Sequence, residues 1–304
     1  MTIQEHCSAL NISIHKRIFL TNFLQAERNH ERAFTSIDVI EDCQDAIDEF
    51  VEVERINRRS TLYIYGVLQA MYCQQDGLFQ LYKTIVDGKI KNVYELFKLN
   101  EFPNNIREVR DDIAGHPVDR KNGKEFYFIA KGTNAKYKFT YAGYTPEFRQ
   151  VDVDLQNFIS IQANFCLEIL ILVDKAISSK IKTFKEKFKG VKLINLLKEL
   201  DRHIQLVYRG IHDNHPMASL GQKEMQNMID KVKLELNKRY PENIPETIDC
   251  IFRLQQHSTN KIEEYIRTKN LHKNIDAEIY MDSFKCQVDE LKQILVEIDE
   301  EFQN

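Results

Sequence analysis

Residues 60–86 read STLYIYGVLQAMYCQQDGLFQLYKTIV. Apolar residues recur at helical spacing on nearly every face of this stretch, and no proline interrupts it. A helix that is apolar almost all round belongs inside a protein, which makes this segment the centre of a helical core. One narrow stripe differs: Tyr65, Gln69, Tyr72 and Asp76 fall at i, i+4, i+7 and i+11, on a single face. A carboxylate on a buried helix needs a partner, because an isolated charge in a core is costly. Arg110 is one candidate partner; in the other reading Asp76 caps an exposed end or meets a surface lysine.

The sequence on either side is also helical. Gly (10) and Pro (6) are scarce in 304 residues, so few positions break a helix. Residues 8–28 and 36–56 read as two helices, and the second places Ile37, Ile40, Ile47, Phe50 and Val51 at helical spacing. Its opposite face holds eight acids and the single base Arg55, which reads as a solvated face; a basic partner is the other reading. A short helix is expected near Val93–Leu99. EFYFIA and YKFTYA alternate, are rich in aromatics and enclose the turn signal GTNA, which predicts a β-hairpin over 125–131 and 136–142. A long helix follows from Val153 to about Phe188. Gly190 is the expected boundary between residues 1–189 and a C-terminal helical bundle, 190–304, with helices near 191–209, 219–239, 244–269 and 276–302. The expected class is mainly α with an inserted hairpin.

Several functions find no footing. Net charge is −4, so the chain is not a generally basic nucleic-acid binder, although a local basic patch remains open. Six scattered cysteines without a Cys-x-x-Cys read as reduced thiols in a cytoplasmic protein. The start, MTIQEHCSAL, lacks the basic-then-apolar pattern of a signal peptide, and the longest apolar run, Ile169 to Val173, predicts no membrane span. No phosphate loop, dinucleotide fingerprint or His-Glu-x-x-His motif is present, and no cofactor or metal is expected. His212 and His215 form a His-x-x-His pair, a weak zinc signal without nearby cysteines.

The chemistry concentrates in IREVRDDIAGHPVDR, Ile106 to Arg120. Asn104 or Asn105 can cap a helix here and Gly115 can end it. His116, before Pro117, is pushed from helical geometry. A guanidinium grips phosphate as a fixed fork, and an imidazole can take or give a proton near neutrality. Together, Arg110 and His116 could cleave RNA without a metal. Six residues place them about 240° apart on an ideal helix, so a broken last turn or a dimer must bring them together. Alternatively, His116 simply terminates the helix, against its last carbonyls or Asp112.

Arg110-Asp111, followed by His116 with five residues between, resembles the signature of the HEPN superfamily. So does its setting between a long buried helix at 60–86 and another from 153. The resemblance covers roughly residues 36–188. It implies a HEPN-like helical bundle with the hairpin as an insertion, and a metal-independent ribonuclease working as a homodimer. Arg110 and His116 of each subunit would lie near the two-fold axis, with Asp111 helping to hold His116. Many such ribonucleases are toxins or antiviral effectors, so a protein regulator or antitoxin is an implied partner. Some HEPN proteins are inactive and only bind partners. YRGIHDNHP repeats the spacing with Arg209 and His215, but Gly210 replaces the polar residue, and it reads as a loop between helices.

Seven lysines and one acid lie between 175 and 192. Lys175, Lys182, Lys185, Lys189 and Lys192 would share a face if the helical phase continues past Gly190. Solvated decoration is one reading; a phosphate-backbone track, with Lys182, Lys185 and Lys189 as RNA contacts, is the other. Two functions follow. One is an endoribonuclease cleaving single-stranded RNA with Arg110, His116 and Asp111, supported by Asp76, Tyr72 and Gln69. The other is a non-catalytic helical interaction protein, docking through the acidic helix, the lysines and the acidic tail at 289–301. In that case Arg110 is locked in an ion pair with Asp76 or Asp111.

Overall fold

A computed structural model describes residues 1–25, 28–53, 61–99, 105–132, 135–145, 147–241 and 244–303. Arg55, the Asn104 cap and the centre of the GTNA turn lie outside these residues. The structure is mainly helical, with one small antiparallel sheet. It divides into two compact units, Met1–Ser179 and Lys180–Asn304, upstream of Gly190.

The first unit opens with α1 (Ile3–His15) and α2 (Arg17–Phe23) in place of the single helix expected over 8–28. Thr2 Oγ1 accepts the Glu5 N–H at 3.1 Å and Glu5 Oε2 accepts the Thr2 N–H at 2.7 Å, a capping box that sets the start of α1. The chain turns at Lys16, which lets Ile14 on one side and Ile18 and Phe19 on the other all enter the core. Next come α3 (Asn29–Glu52) and α4 (Thr61–Ile85). They pack closely at Gly77, where a Cβ would lie 3.1 Å from Ile40 Cγ1 and 3.2 Å from the Ser36 carbonyl oxygen. The acids of α3 lie on its exposed or half-buried side, and Val51, expected inside, is exposed.

Leu68, Met71, Leu78 and Leu81 of α4 are fully enclosed, but Leu62 and Tyr63 in its first turn are exposed, so the helix is not buried all round. Its core contains two buried glutamines. Gln75 Nε2 donates to Gln162 Oε1 at 2.9 Å and Gln162 Nε2 donates to Gln74 Oε1 at 2.9 Å, so these amides satisfy one another.

After α5 (Val93–Leu99) and α6 (Asn105–Arg110), the chain forms β1 (Phe126–Ile129), β2 (Lys138–Thr145) and β3 (Glu147–Asp154), in the order β1-β2-β3. The expected hairpin is therefore a three-stranded sheet, and residues near Val153 are strand rather than helix. Val153 pairs with Phe139 and Val151 with Tyr141, a period-two inner face that the charged outer positions obscure in the sequence. Helix α7 (Leu155–Glu186) starts only after Asp154, whose Oδ1 accepts the Asn157 N–H at 3.1 Å. α7 holds an 18-residue window of mean hydropathy 1.4, long and apolar enough by length and composition to cross a membrane. Phe158, Phe165, Ile169, Val173 and Ile177 of this helix are buried in the protein core.

In the second unit, α7 ends at Glu186 and a 3-10 turn, Leu193–Leu197, precedes α8 (Leu200–Asp213), α9 (Ala218–Arg239), α10 (Glu246–Arg267) and α11 (Ile275–Gln303). A buried ion pair joins three elements: Arg239 Nη1 donates to Asp299 Oδ1 at 3.0 Å, and the same carboxylate accepts the N–H groups of Leu193 and Ile194 at 2.9 and 3.0 Å.

Candidate functional site

α6 presents two arginines, three residues apart, to the polar stripe of α4. Arg107 is buried, and its Nη2 donates to Asp76 Oδ1 at 2.8 Å. Asp76 is thus paired by Arg107 and not by Arg110, because Arg107 sits a turn deeper along the same face. Burial works against the Arg107 charge, but Asp76 and Tyr72 outweigh it and raise its pKa. The guanidinium carbons of Arg107 and Arg110 lie 3.7 and 4.3 Å from the centre of the Tyr72 ring. Gln69 holds Arg110 as a fork: its Oε1 accepts from Nε at 2.9 Å and from Nη2 at 2.8 Å. The stripe residues Gln69, Tyr72 and Asp76 thus all touch these arginines.

Beyond Arg110 the helix widens into a single π-turn, Asp111–Gly115, closed by the His116 N–H donating to the Asp111 carbonyl oxygen at 3.0 Å. Such turns change which residues share a face, and they recur at functional positions. His116 then leaves the helix at φ −138°, ψ 54°, with its side chain exposed. The Arg110 guanidinium folds over this turn: a Cβ at Gly115 would lie 2.8 Å from its Nη1. Glycine therefore gives Arg110 room beside the residue that precedes His116.

The Asp111 carboxylate is engaged by arginines. It accepts from Arg110 Nη1 at 2.8 Å, and Arg120 Nη1 approaches it at 3.8 Å. Its carbonyl, not its carboxylate, ties down the His116 backbone. A guanidinium has five N–H donors. Among the described residues three of those on Arg110 are engaged, Nε, one of Nη1 and one of Nη2, and two are not.

The sheet braces the turn from its other side. Asp112 is buried; its Oδ1 accepts from Arg120 Nε at 2.8 Å and its Oδ2 accepts from the Tyr141 hydroxyl at 3.2 Å. Burial pushes the Asp112 carboxyl up, and Arg120 and Tyr141 offset this only in part. Burial also raises the Tyr141 hydroxyl, with Asp112 adding to the shift. The Tyr127 N–H donates to the Pro117 carbonyl at 2.7 Å. The bonds of Asp112 to Arg120 and Tyr141 were not expected from the sequence, which offered Asp112 as a partner of His116. Tyr141 carries a signal in its inward register on β2, whereas no spacing rule links Asp112 to Arg120.

The remaining candidates lie elsewhere. Lys182, Lys185 and Lys189 belong to the second unit; Lys182 and Lys189 are exposed and Lys185 is half-buried. α7 ends before Lys189 and Lys192, so the continuous stripe of five is broken. The second Arg-x5-His stretch is a helix C-cap: Asn214 is left-handed (φ 54°), and the N–H groups of Asn214 and His215 both close on the Arg209 carbonyl. His215 Nδ1 accepts the Met217 N–H at 3.2 Å, and His212 Nε2 lies 3.8 Å from Glu278. Among the described residues no group of three or more His, Cys, Asp or Glu is placed to hold a metal. Comparison of the chain with protein-family models, curated protein sequences and solved structures finds no match.

Proposed function

We propose that the protein is a metal-independent endoribonuclease of HEPN type acting on single-stranded RNA, with Arg110 and His116 as its working groups. The observation that carries this reading is the π-turn between them. Gln69, Tyr72 and Asp111 fix the Arg110 guanidinium with two donors unspent among the described residues, and the same turn delivers an exposed His116 at its end. In the proposed reaction His116 takes the proton of a ribose 2′-hydroxyl. The alkoxide attacks the adjacent phosphorus, and the 5′-oxygen leaves with a proton from water or from the second copy of His116 in a homodimer. Arg110 stabilises the charge that builds on the non-bridging oxygens. A toxin or defence role, with a protein regulator, belongs to the same proposal.

A second reading rests on one specific observation: three donors of Arg110 are already satisfied within the protein, as in a structural ion pair of a non-catalytic interaction protein. Cleavage of a mixed single-stranded RNA in EDTA separates the two. The ribonuclease reading expects cleavage by wild type and its loss in both Arg110→Ala and His116→Ala at nearly unchanged melting temperature. No cleavage by wild type, with a collapse of stability in Arg110→Ala, selects the interaction protein.

A further inference from the structure

The sheet has two unlike faces. Its inner face, with Tyr127, Phe139, Tyr141 and Val153, is buried and bonds to the π-turn through Tyr141 and Asp112, while the Tyr127 N–H holds the Pro117 carbonyl just beyond the turn. Its outer face carries a row of exposed rings. Phe126 of β1 pairs with Tyr144 of β2, and Tyr144 pairs with Phe148 of β3, so three aromatics stand side by side on three strands. They are 46%, 55% and 52% exposed, and Phe128, two residues along β1, is 49% exposed. Leaving such area in water is unfavourable, and Tyr144 and Phe148 shelter each other only in part, with ring centres 5.5 Å apart.

We infer that this outer face is a stacking platform for the bases of single-stranded RNA. Three points select this occupant. Every large apolar side chain in the row is a planar ring, and planar rings on a sheet stack on bases of any sequence. Neighbouring strands lie about 4.8 Å apart, so the row spans about 10 Å and can take two or three bases splayed from one strand. The charge of the segment that builds the sheet also favours phosphate: from Arg120 to Asp154 bases outnumber acids seven to four, and with Arg120, Lys121 and Lys138 paired to Asp112, Glu125 and Asp154, the exposed Lys124 and Lys131 and the half-buried Lys136 carry the excess. This excess is local in a chain of net charge −4. The platform deepens the ribonuclease reading and rests on it for its consequence: RNA held on the outer face is tethered to the element that carries Arg110 and His116.

The test measures binding apart from cleavage. Full-length protein carrying His116→Ala is titrated in EDTA against a labelled single strand of about a dozen nucleotides and against the matching duplex, by fluorescence anisotropy. The background is compared with added Tyr144→Ala, Phe148→Ala and the double change, each checked by circular dichroism and by sedimentation. The expected result is binding of the single strand in preference to the duplex, weakened about tenfold or more by each ring removed. Binding unchanged by loss of both rings overturns the platform, as does equal affinity for duplex. A wild-type dimer that becomes monomeric in the double variant, without any RNA binding, also overturns it and makes the face an interface between copies. The two proposals fail separately. Ring-dependent binding without cleavage by wild type leaves the platform and removes the ribonuclease, whereas cleavage with ring-independent binding does the reverse.

Discussion

Arg107 and Arg110 are separated by one helical turn, and replacing each by alanine should have opposite consequences. Arg107 is 4% exposed, pairs with Asp76 at 2.8 Å, reaches Gln75 Oε1 at 3.4 Å and lies against the Tyr72 ring. Breaking a buried pair costs about 3–5 kcal/mol when the abandoned partner stays buried. The Asp76 side chain is 47% exposed and can rehydrate, which lowers the expected loss to about 3 kcal/mol, most of it from packing and the Gln75 amide. For a unit of this size that is a fall in Tm of about 6–12 °C. Arg110 touches Gln69 and Asp111, both of which reach water, so Arg110→Ala should cost about 1 kcal/mol, or about 2–4 °C. Calorimetry of the full chain reads both. A larger fall for Arg110→Ala than for Arg107→Ala would refute this division of labour, and with it the argument that Arg110 is spared structural duty for phosphate.

Three further outcomes follow from the geometry. Gly115→Ala places a Cβ 2.8 Å from Arg110 Nη1, a flexible end that can move. Its Tm should therefore change little while RNA cleavage falls by about ten- to a hundredfold, as expected for a displaced catalytic group. Arg239→Met in the second unit leaves Asp299 buried without its cation, and urea unfolding should show a loss of about 3–5 kcal/mol. Burial pushes the Cys7 and Cys43 thiols up to about 12. Their ordinary value is near 9, so unfolded chains ionise first; the stability they contribute is complete below pH 9 and lost as pH rises towards 12. Melting temperature measured across that range should fall less steeply in a Cys7→Ala, Cys43→Ala variant.

The sequence carries the helices where a strong period runs between clear stops, as in α5, α9, α10 and α11, whereas the helix expected over 191–209 is a 3-10 turn followed by α8. It also carries the stripe Gln69, Tyr72 and Asp76, because polar residues at helical spacing on an apolar helix must meet something. It does not say which of two arginines on the facing helix lies deeper, and Asp76 is therefore assigned the wrong one. β3 is hidden because EFRQVDVD mixes charge with only two inward valines, and its end merges with a capped helix start at Asp154. The Thr2-x-x-Glu5 box was a legible signal that the expectation of a helix from residue 8 missed; it marks the true start of α1. The π-turn was not: nothing in Asp111–Gly115 distinguishes an inserted residue from an ordinary last turn, yet that residue decides where His116 emerges. The Arg209 stretch has the same spacing and is a left-handed cap, so spacing alone does not define such a site.

The most direct test of the central claim is cleavage in EDTA of an oligoribonucleotide and of the same sequence built from 2′-deoxyribose. If His116 takes the 2′-hydroxyl proton, wild type cuts only the ribose strand, leaving 2′,3′-cyclic phosphate ends, and His116→Ala cuts neither. Equal cleavage of the deoxyribose strand, or undiminished cleavage by His116→Ala, would contradict it.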